Sequence, residues 1–205
     1  LAFANSGATV TGLDFSAPAV EAARELAAKA GLSDRAAFVC ANAYDAAAVL
    51  PNDAFDIVYV SLGALCWLPS VERWAEQVRA LLAPGGRLYL HDSHPAMWAL
   101  ADDGRTIGFT YFEEAEPHTD DADRTYTDGD TPIEHTRQYE WNHSIGEIVS
   151  ALLRQGLRLD QLVEHDWTVW PRFDFLVEVG DHQWTTPPGM PRMPLTYTIV
   201  ASRPA

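Results

Sequence analysis

Apolar and polar positions in the first two-fifths of the chain follow two alternating patterns. Short apolar runs at 8–13 (ATVTGL), 36–40 (AAFVC) and 55–61 (FDIVYVS) have the length and residue types of buried strands. Between the first two, Val20, Ala23, Ala27 and Ala30 recur at helical spacing. Ser16 stands ahead of them as an N-cap, Pro18 falls in the first turn and Gly31 supplies the stop. Ser70 opens a second helix with Val71, Trp74, Val78, Leu81 and Leu82 on its inner face. Pro84-Gly85-Gly86 ends that helix, and 87–91 (RLYLH) follows as a strand. Repeated strand–helix–strand units predict an α/β fold, a mostly parallel sheet with helices on both faces.

After Pro95 the pattern breaks. Residues 96–140 hold no convincing long helix, and 113–130 are dominated by acids, so this stretch reads as a solvated loop or ribbon, or as a lid over a site. Regular structure resumes with the capping box Ser144-Ile145-Gly146-Glu147, a helix through Leu152 and Leu153, and Gly156 as its stop. Residues 157–165 and 194–202 are expected as strands. The segment 166–193 between them, rich in Trp and Pro, reads as a structured loop. The 205 residues are one domain, with 96–140 and 166–193 as excursions on the substrate side.

Composition narrows the partners. The net charge of -15, from 29 acids against 14 bases, leaves no basic stripe for a nucleic acid and favours a small neutral or cationic ligand. No apolar run approaches the roughly 18 residues of a membrane span. Cys40 and Cys66 sit in apolar contexts without a CxxC or Cys/His pattern. They are expected as reduced thiols in a cytoplasmic protein with no metal site. Oligomeric state stays open.

Three segments carry candidate chemistry. Asp14 ends its strand and Phe15-Ser16 open the next helix. A carboxylate there accepts hydrogen bonds from vicinal ribose hydroxyls, or else helps Ser16 cap the helix. Asn42 and Ala43 follow the next strand, either reading an adenine edge or making an ordinary turn. The third segment runs from FDIVYVS through Ser61, Leu62 and Gly63 to Trp67-Leu68-Pro69.

The order FDIVYVS…WLP…W…LLAPGGRLYL, with LDFS and ANA ahead of it, resembles the class I S-adenosylmethionine-dependent methyltransferases, in particular their small-molecule branch. YEWNHSIGEIVSALLRQGL resembles the C-terminal half of bacterial proteins of this type. The resemblance implies a Rossmann-like, seven-stranded sheet with an antiparallel last strand, and S-adenosylmethionine as cofactor. It assigns Asp14 to the ribose, Phe15 and Ser16 to the adenosine, Asn42 and Ala43 to adenine. Ser61, Leu62 and Gly63 then lie beneath the cofactor. Asn42 stands where the family usually has Asp. The family's first strand and glycine-rich loop have no counterpart here and are expected upstream of Leu1.

Methyl transfer to a hydroxyl or acidic carbon needs a base, and His94 and His143 are the candidates, with backbone-bonding or packing roles as the alternatives. Trp67, Tyr139 and Trp141 are candidate substrate contacts, since aromatic faces stack on rings and attract cations. The competing readings are a non-catalytic binding module of the same fold and an NAD-dependent dehydrogenase.

Overall fold

The computed structural model describes residues 1–121 and 136–205, so part of the acidic stretch at 113–130 lies outside the described residues. A short helix α1 (Ala2–Asn5) leads into β1 (Val10–Asp14), which begins two residues later than the apolar run suggests. Helix α2 (Ala17–Lys29) starts where Ser16 Oγ accepts the Ala19 N–H at 3.4 Å. The chain leaves it through Gly31, whose φ of +69° favours glycine. β2 (Ala36–Cys40) then pairs parallel with β1, setting Asp14 opposite Cys40.

A one-turn 3-10 helix at Ala43–Asp45 and α3 (Ala46–Val49) lead to β3 (Phe55–Ser61). After a second 3-10 turn, Leu65–Trp67, come α4 (Val71–Leu81), β4 (Leu82–Ser93) and α5 (Pro95–Trp98). β4 starts five residues before the expected strand. Leu82 already pairs with Phe55, and the Pro84-Gly85-Gly86 turn is absorbed as an irregularity in the register, with Gly85 at φ +79°.

The remaining elements are β5 (His118–Asp120), β6 (Gln138–Glu140), α6 (Ile145–Arg154) and β7 (Arg158–His165). They are followed by β8 (Trp167–Thr168), β9 (Val177–Gly180), β10 (Gln183–Thr185) and β11 (Thr196–Ser202). Both excursions therefore carry strands that the pattern does not show. β5 and β6 form a ribbon, and β8, β10 and β9 form a small antiparallel sheet. Strands of two to four residues are too short to display a period.

The main sheet has the order β3-β4-β11-β7, with β3 parallel to β4 and β11 antiparallel to both its neighbours. Among the described residues β1 and β2 pair only with each other, and no strand pairs with both them and β3. Side-chain contacts tie the halves together, among them two hydrogen bonds. Tyr44 Oη accepts the Ser70 N–H at 2.7 Å, and Gln77 Oε1 accepts the Ala47 N–H at 2.9 Å.

Helices α4 and α6 cover one face of the main sheet. Trp74, Val78, Ile148 and Leu152 meet Leu88, Leu90, Tyr197 and Ile199 there, and all are buried. Each such aliphatic side chain contributes about 2 kcal/mol through the apolar area it removes from water. The opposite face is far less covered. Ile57 is 63% exposed and Tyr59 48%, although Phe3 of α1 meets Tyr59 edge-on at 5.0 Å. A second cluster gathers Met97, Phe173, Leu176 and Leu195 beneath the excursions, with Trp98, Trp170 and Trp184 packed against it. Among the described residues no helix is long and apolar enough to cross a membrane.

Candidate functional site

The pairing of β1 with β2 brings two of the three predicted segments together. The Ala41 N–H donates to the Asp14 carbonyl at 2.9 Å, so Asp14-Phe15-Ser16 and Asn42-Ala43 share the carboxyl ends of adjacent parallel strands. Asp14 Oδ1 accepts the Ser16 N–H at 2.8 Å, the capping contact anticipated as its alternative role. Oδ2 accepts no hydrogen bond among the described residues and Asp14 is exposed, so one oxygen remains for a ligand hydroxyl. Phe15 stands 78% exposed beside it, an uncovered aromatic ring of the kind that packs on a flat base. The Asn42 side chain is occupied, accepting the Tyr44 N–H at 2.9 Å as the cap of its 3-10 turn.

Ser61, Leu62 and Gly63 leave the carboxyl end of β3. Leu62 (φ +28°) and Gly63 (φ +77°) both adopt positive φ, which for Leu62 is a strained conformation. What holds the turn is Asp92, near the end of β4. One carboxylate oxygen accepts N–H groups from Gly63 and Ser93, the other from Ala64 at 3.2 Å and Leu65 at 3.1 Å. Asp92 is 3% exposed, and these N–H bonds supply what water no longer can. Sequence reasoning passed over Asp92, which in HDSHP looks like an ordinary turn residue. The Leu62 N–H adds a backbone bond to the His91 carbonyl at 2.8 Å.

The two histidines lie on either side of this turn. His94, 3% exposed, caps α5. Its Nδ1 accepts the Ala96 N–H at 3.1 Å, which leaves the proton on Nε2, 2.8 Å from Glu164 Oε1. Burial pushes the His94 ring below its ordinary pKa, with Glu164 pulling the other way. Acting as a base would require one of these bonds to break.

His143, also 3% exposed, directs Nε2 at the Leu65 and Leu68 carbonyls at 3.1 and 2.8 Å, so Nε2 is the donor. Nδ1 lies 2.9 Å from Glu113 Oε2 but out of line for a hydrogen bond, and so keeps its lone pair unengaged. Glu113 also accepts the Val71 N–H at 3.1 Å at the start of α4, and donates its own N–H to Glu147 of the capping box. The excursion is thereby pinned to the first turns of two helices.

His143, Asp92, Cys66, Trp141 and Tyr197 surround a cavity of about 10 Å³, room for one water. The Trp141 indole N–H faces no partner there, although its backbone N–H donates to the Cys66 carbonyl at 2.9 Å. That bond draws the segment after β6 against the 3-10 turn carrying Trp67. Trp67 and Tyr139 are 44% and 49% exposed, and only Trp141 of the three predicted aromatic contacts lines the cavity. Burial, with Asp92 and Glu140 nearby, pushes the Cys66 thiol far up, which keeps it protonated and unreactive.

Of the other late tryptophans, Trp98 also reaches the small cavity, and the rest serve packing. Trp98, Trp170 and Trp184 pack on the second apolar cluster, and Trp167 lies against His91 and His165.

Residues 1–90 match a family model described as a methyltransferase domain. The chain is also similar in fold to solved proteins across nearly its whole length. A S-adenosylmethionine-dependent methyltransferase from Methanosarcina mazei superposes with a TM-score of 0.63 at 18% identity, covering 99% of this chain and 85% of that one. One from Mesorhizobium loti gives 0.60 at 21%, over 97% and 82%. The geranyl diphosphate C-methyltransferase of Streptomyces coelicolor gives 0.57 at 12%, over 96% and 64%. None of the curated proteins matches the sequence.

Proposed function

We propose that this protein is a methyltransferase that carries a methyl group from S-adenosylmethionine to a small-molecule acceptor. One observation carries the reading. Asp14, with one carboxylate oxygen unengaged, stands beside the exposed Phe15 and across a parallel pair from Asn42-Ala43, an arrangement that fits a ribose and an adenine. Asn42 serves adenine through its backbone neighbour Ala43, because its own side-chain oxygen is committed to Tyr44. Ser61, Leu62 and Gly63 form the floor, held in place by Asp92.

When bound, S-adenosylmethionine would supply an electrophilic methyl on a sulfonium, which an acceptor's lone pair would take as the carbon–sulfur electrons return to sulfur. The protein's part is to orient the acceptor, exclude water and take a proton when the acceptor is a hydroxyl or acidic carbon. His143 is the ring fitted for that step. Its Nε2 is fixed by two carbonyls, and Glu113 stands beside Nδ1 to stabilise the charge it gains. His94, with both nitrogens occupied, positions the chain after β4. Trp67, Tyr139 and Trp141 line the acceptor's approach. Small-molecule chemistry is supported by the similar fold of the geranyl diphosphate C-methyltransferase and by an acidic surface that repels phosphate backbones.

The test is calorimetric titration with S-adenosylhomocysteine. Binding is expected, and Asp14→Ala should weaken it at least tenfold while leaving the melting temperature within about 2 °C, since Asp14 is exposed. Absence of binding to the unmodified protein, or a preference for a nicotinamide dinucleotide, would overturn the reading.

A further inference from the structure

A second cavity, of about 570 Å³, opens on the other side of α5 from the small one. Pro95 and Trp98 line the small cavity, Ala96 and Ala99 the large one, so the helix that follows β4 is a wall of both. The far walls are the turn joining Leu100 to Ile107 and the segment Met190–Met193. Leu100, Ile107, Phe109, Met190 and Met193 make the lining mainly apolar, and its size is that of a site for a drug-sized molecule. Two methionines give such a wall the freedom to fit an irregular ligand. Ile107 is 83% exposed, a large aliphatic side chain that no described residue covers.

Two arginines sit in this apolar lining, and they differ. Arg192 is paired with Asp166. Arg105 has no carboxylate partner among the described residues, and its guanidinium carbon stands 5.2 Å over the Phe175 ring. Asp103, its near neighbour, spends its carboxylate on the Arg105 and Thr106 N–H groups and the Thr106 hydroxyl. In a chain of net charge -15, an uncommitted cation beside an apolar cavity is complementary to an anion on an apolar body.

We propose that this cavity is a separate binding site for an aliphatic small molecule ending in one carboxylate or phosphate that pairs with Arg105. The assignment rests on the lining and on Arg105, independently of the methyl-transfer reading. The wall shared with the small cavity sets one end of such a ligand against α5, at the carboxyl end of the strand that carries Asp92.

Titrations of the whole chain with decanoate, decyl phosphate and decanol, all below micellar concentrations, test it. Both anions should bind saturably and at least tenfold more tightly than decanol. Arg105→Gln should abolish that advantage and leave decanol unchanged, while Ile107→Asp should weaken all three. Both positions are exposed, so these variants are expected to fold. Whichever anion binds more tightly names the head group. Decanol binding as well as the anions, insensitivity to Arg105→Gln, or no saturable binding would overturn the proposal. A parallel titration with S-adenosylhomocysteine separates the two claims. Cofactor binding without probe binding refutes the cavity, and probe binding without cofactor binding refutes the methyl-transfer reading and leaves the cavity standing.

Discussion

The Asp92 carboxylate has backbone N–H groups as its hydrogen-bond partners, four of them, in a region from which water is excluded. An amide at this position keeps one accepting oxygen and turns two hydrogens toward donors that already point inward. Asp92→Asn should therefore cost about 2–4 kcal/mol in urea unfolding, the penalty of stranding buried donors. It should also weaken S-adenosylhomocysteine binding, because Gly63 and Ala64 lose their anchor. A loss below about 0.5 kcal/mol would show that the turn holds itself. The sequence marked the residues that Asp92 holds but not Asp92 itself. Ser61-Leu62-Gly63 has a neighbour pattern along the chain, whereas a carboxylate's job across 27 to 29 residues leaves no local trace. Glu113 escaped for the same reason. It lies in an acidic run that reads as solvated, yet it reaches both His143 and α4.

Elements whose limits are set by neighbouring residues were the most legible. The Ser70 and Ser144 caps, the Glu147 capping box and the Gly156 stop act within four residues, and α4 and α6 begin, and α6 ends, where those signals stand. Helix α4, by contrast, stops at Leu81, ahead of the Pro84-Gly85-Gly86 expected to end it. The small sheet of β8, β10 and β9 was invisible because its strands find one another across the fold. Gly104 belongs to the same region, in the turn between Leu100 and Ile107. Its φ is +61°, and an added Cβ would stand 2.5 Å from the Phe175 ring and 2.7 Å from Phe173. Gly104→Ala combines backbone strain with overpacking at the second apolar cluster and should cost about 2 kcal/mol. A melting temperature lower by about 4–8 °C is the expected reading for a chain of this size. An unchanged value would mean that the two phenylalanines yield freely.

For the molecule as a whole, acid should be destabilising through its buried histidines. Burial lowers the pKa of His91 and of His94; His165 adds to the shift at His91, and Glu164 opposes it at His94. A folded-state value below the unfolded one, near 6.5, means that this contribution is full above about pH 6.5. It is lost as pH falls through the folded values. Melting temperatures taken from pH 7.5 to 5 should fall, and fall less in His91→Asn; equal slopes would remove these rings as the cause. The class of fold was legible because parallel strands and capped helices write their pattern locally, and the interruption of the sheet falls where the resemblance finds no counterpart of the family's first strand. That interruption sets Asp14, Phe15 and Asn42 on one strand pair and Ser61, Leu62 and Gly63 on the other sheet. A nucleoside ligand would have to touch both, so part of its affinity would appear as rigidity between the two sets of loops.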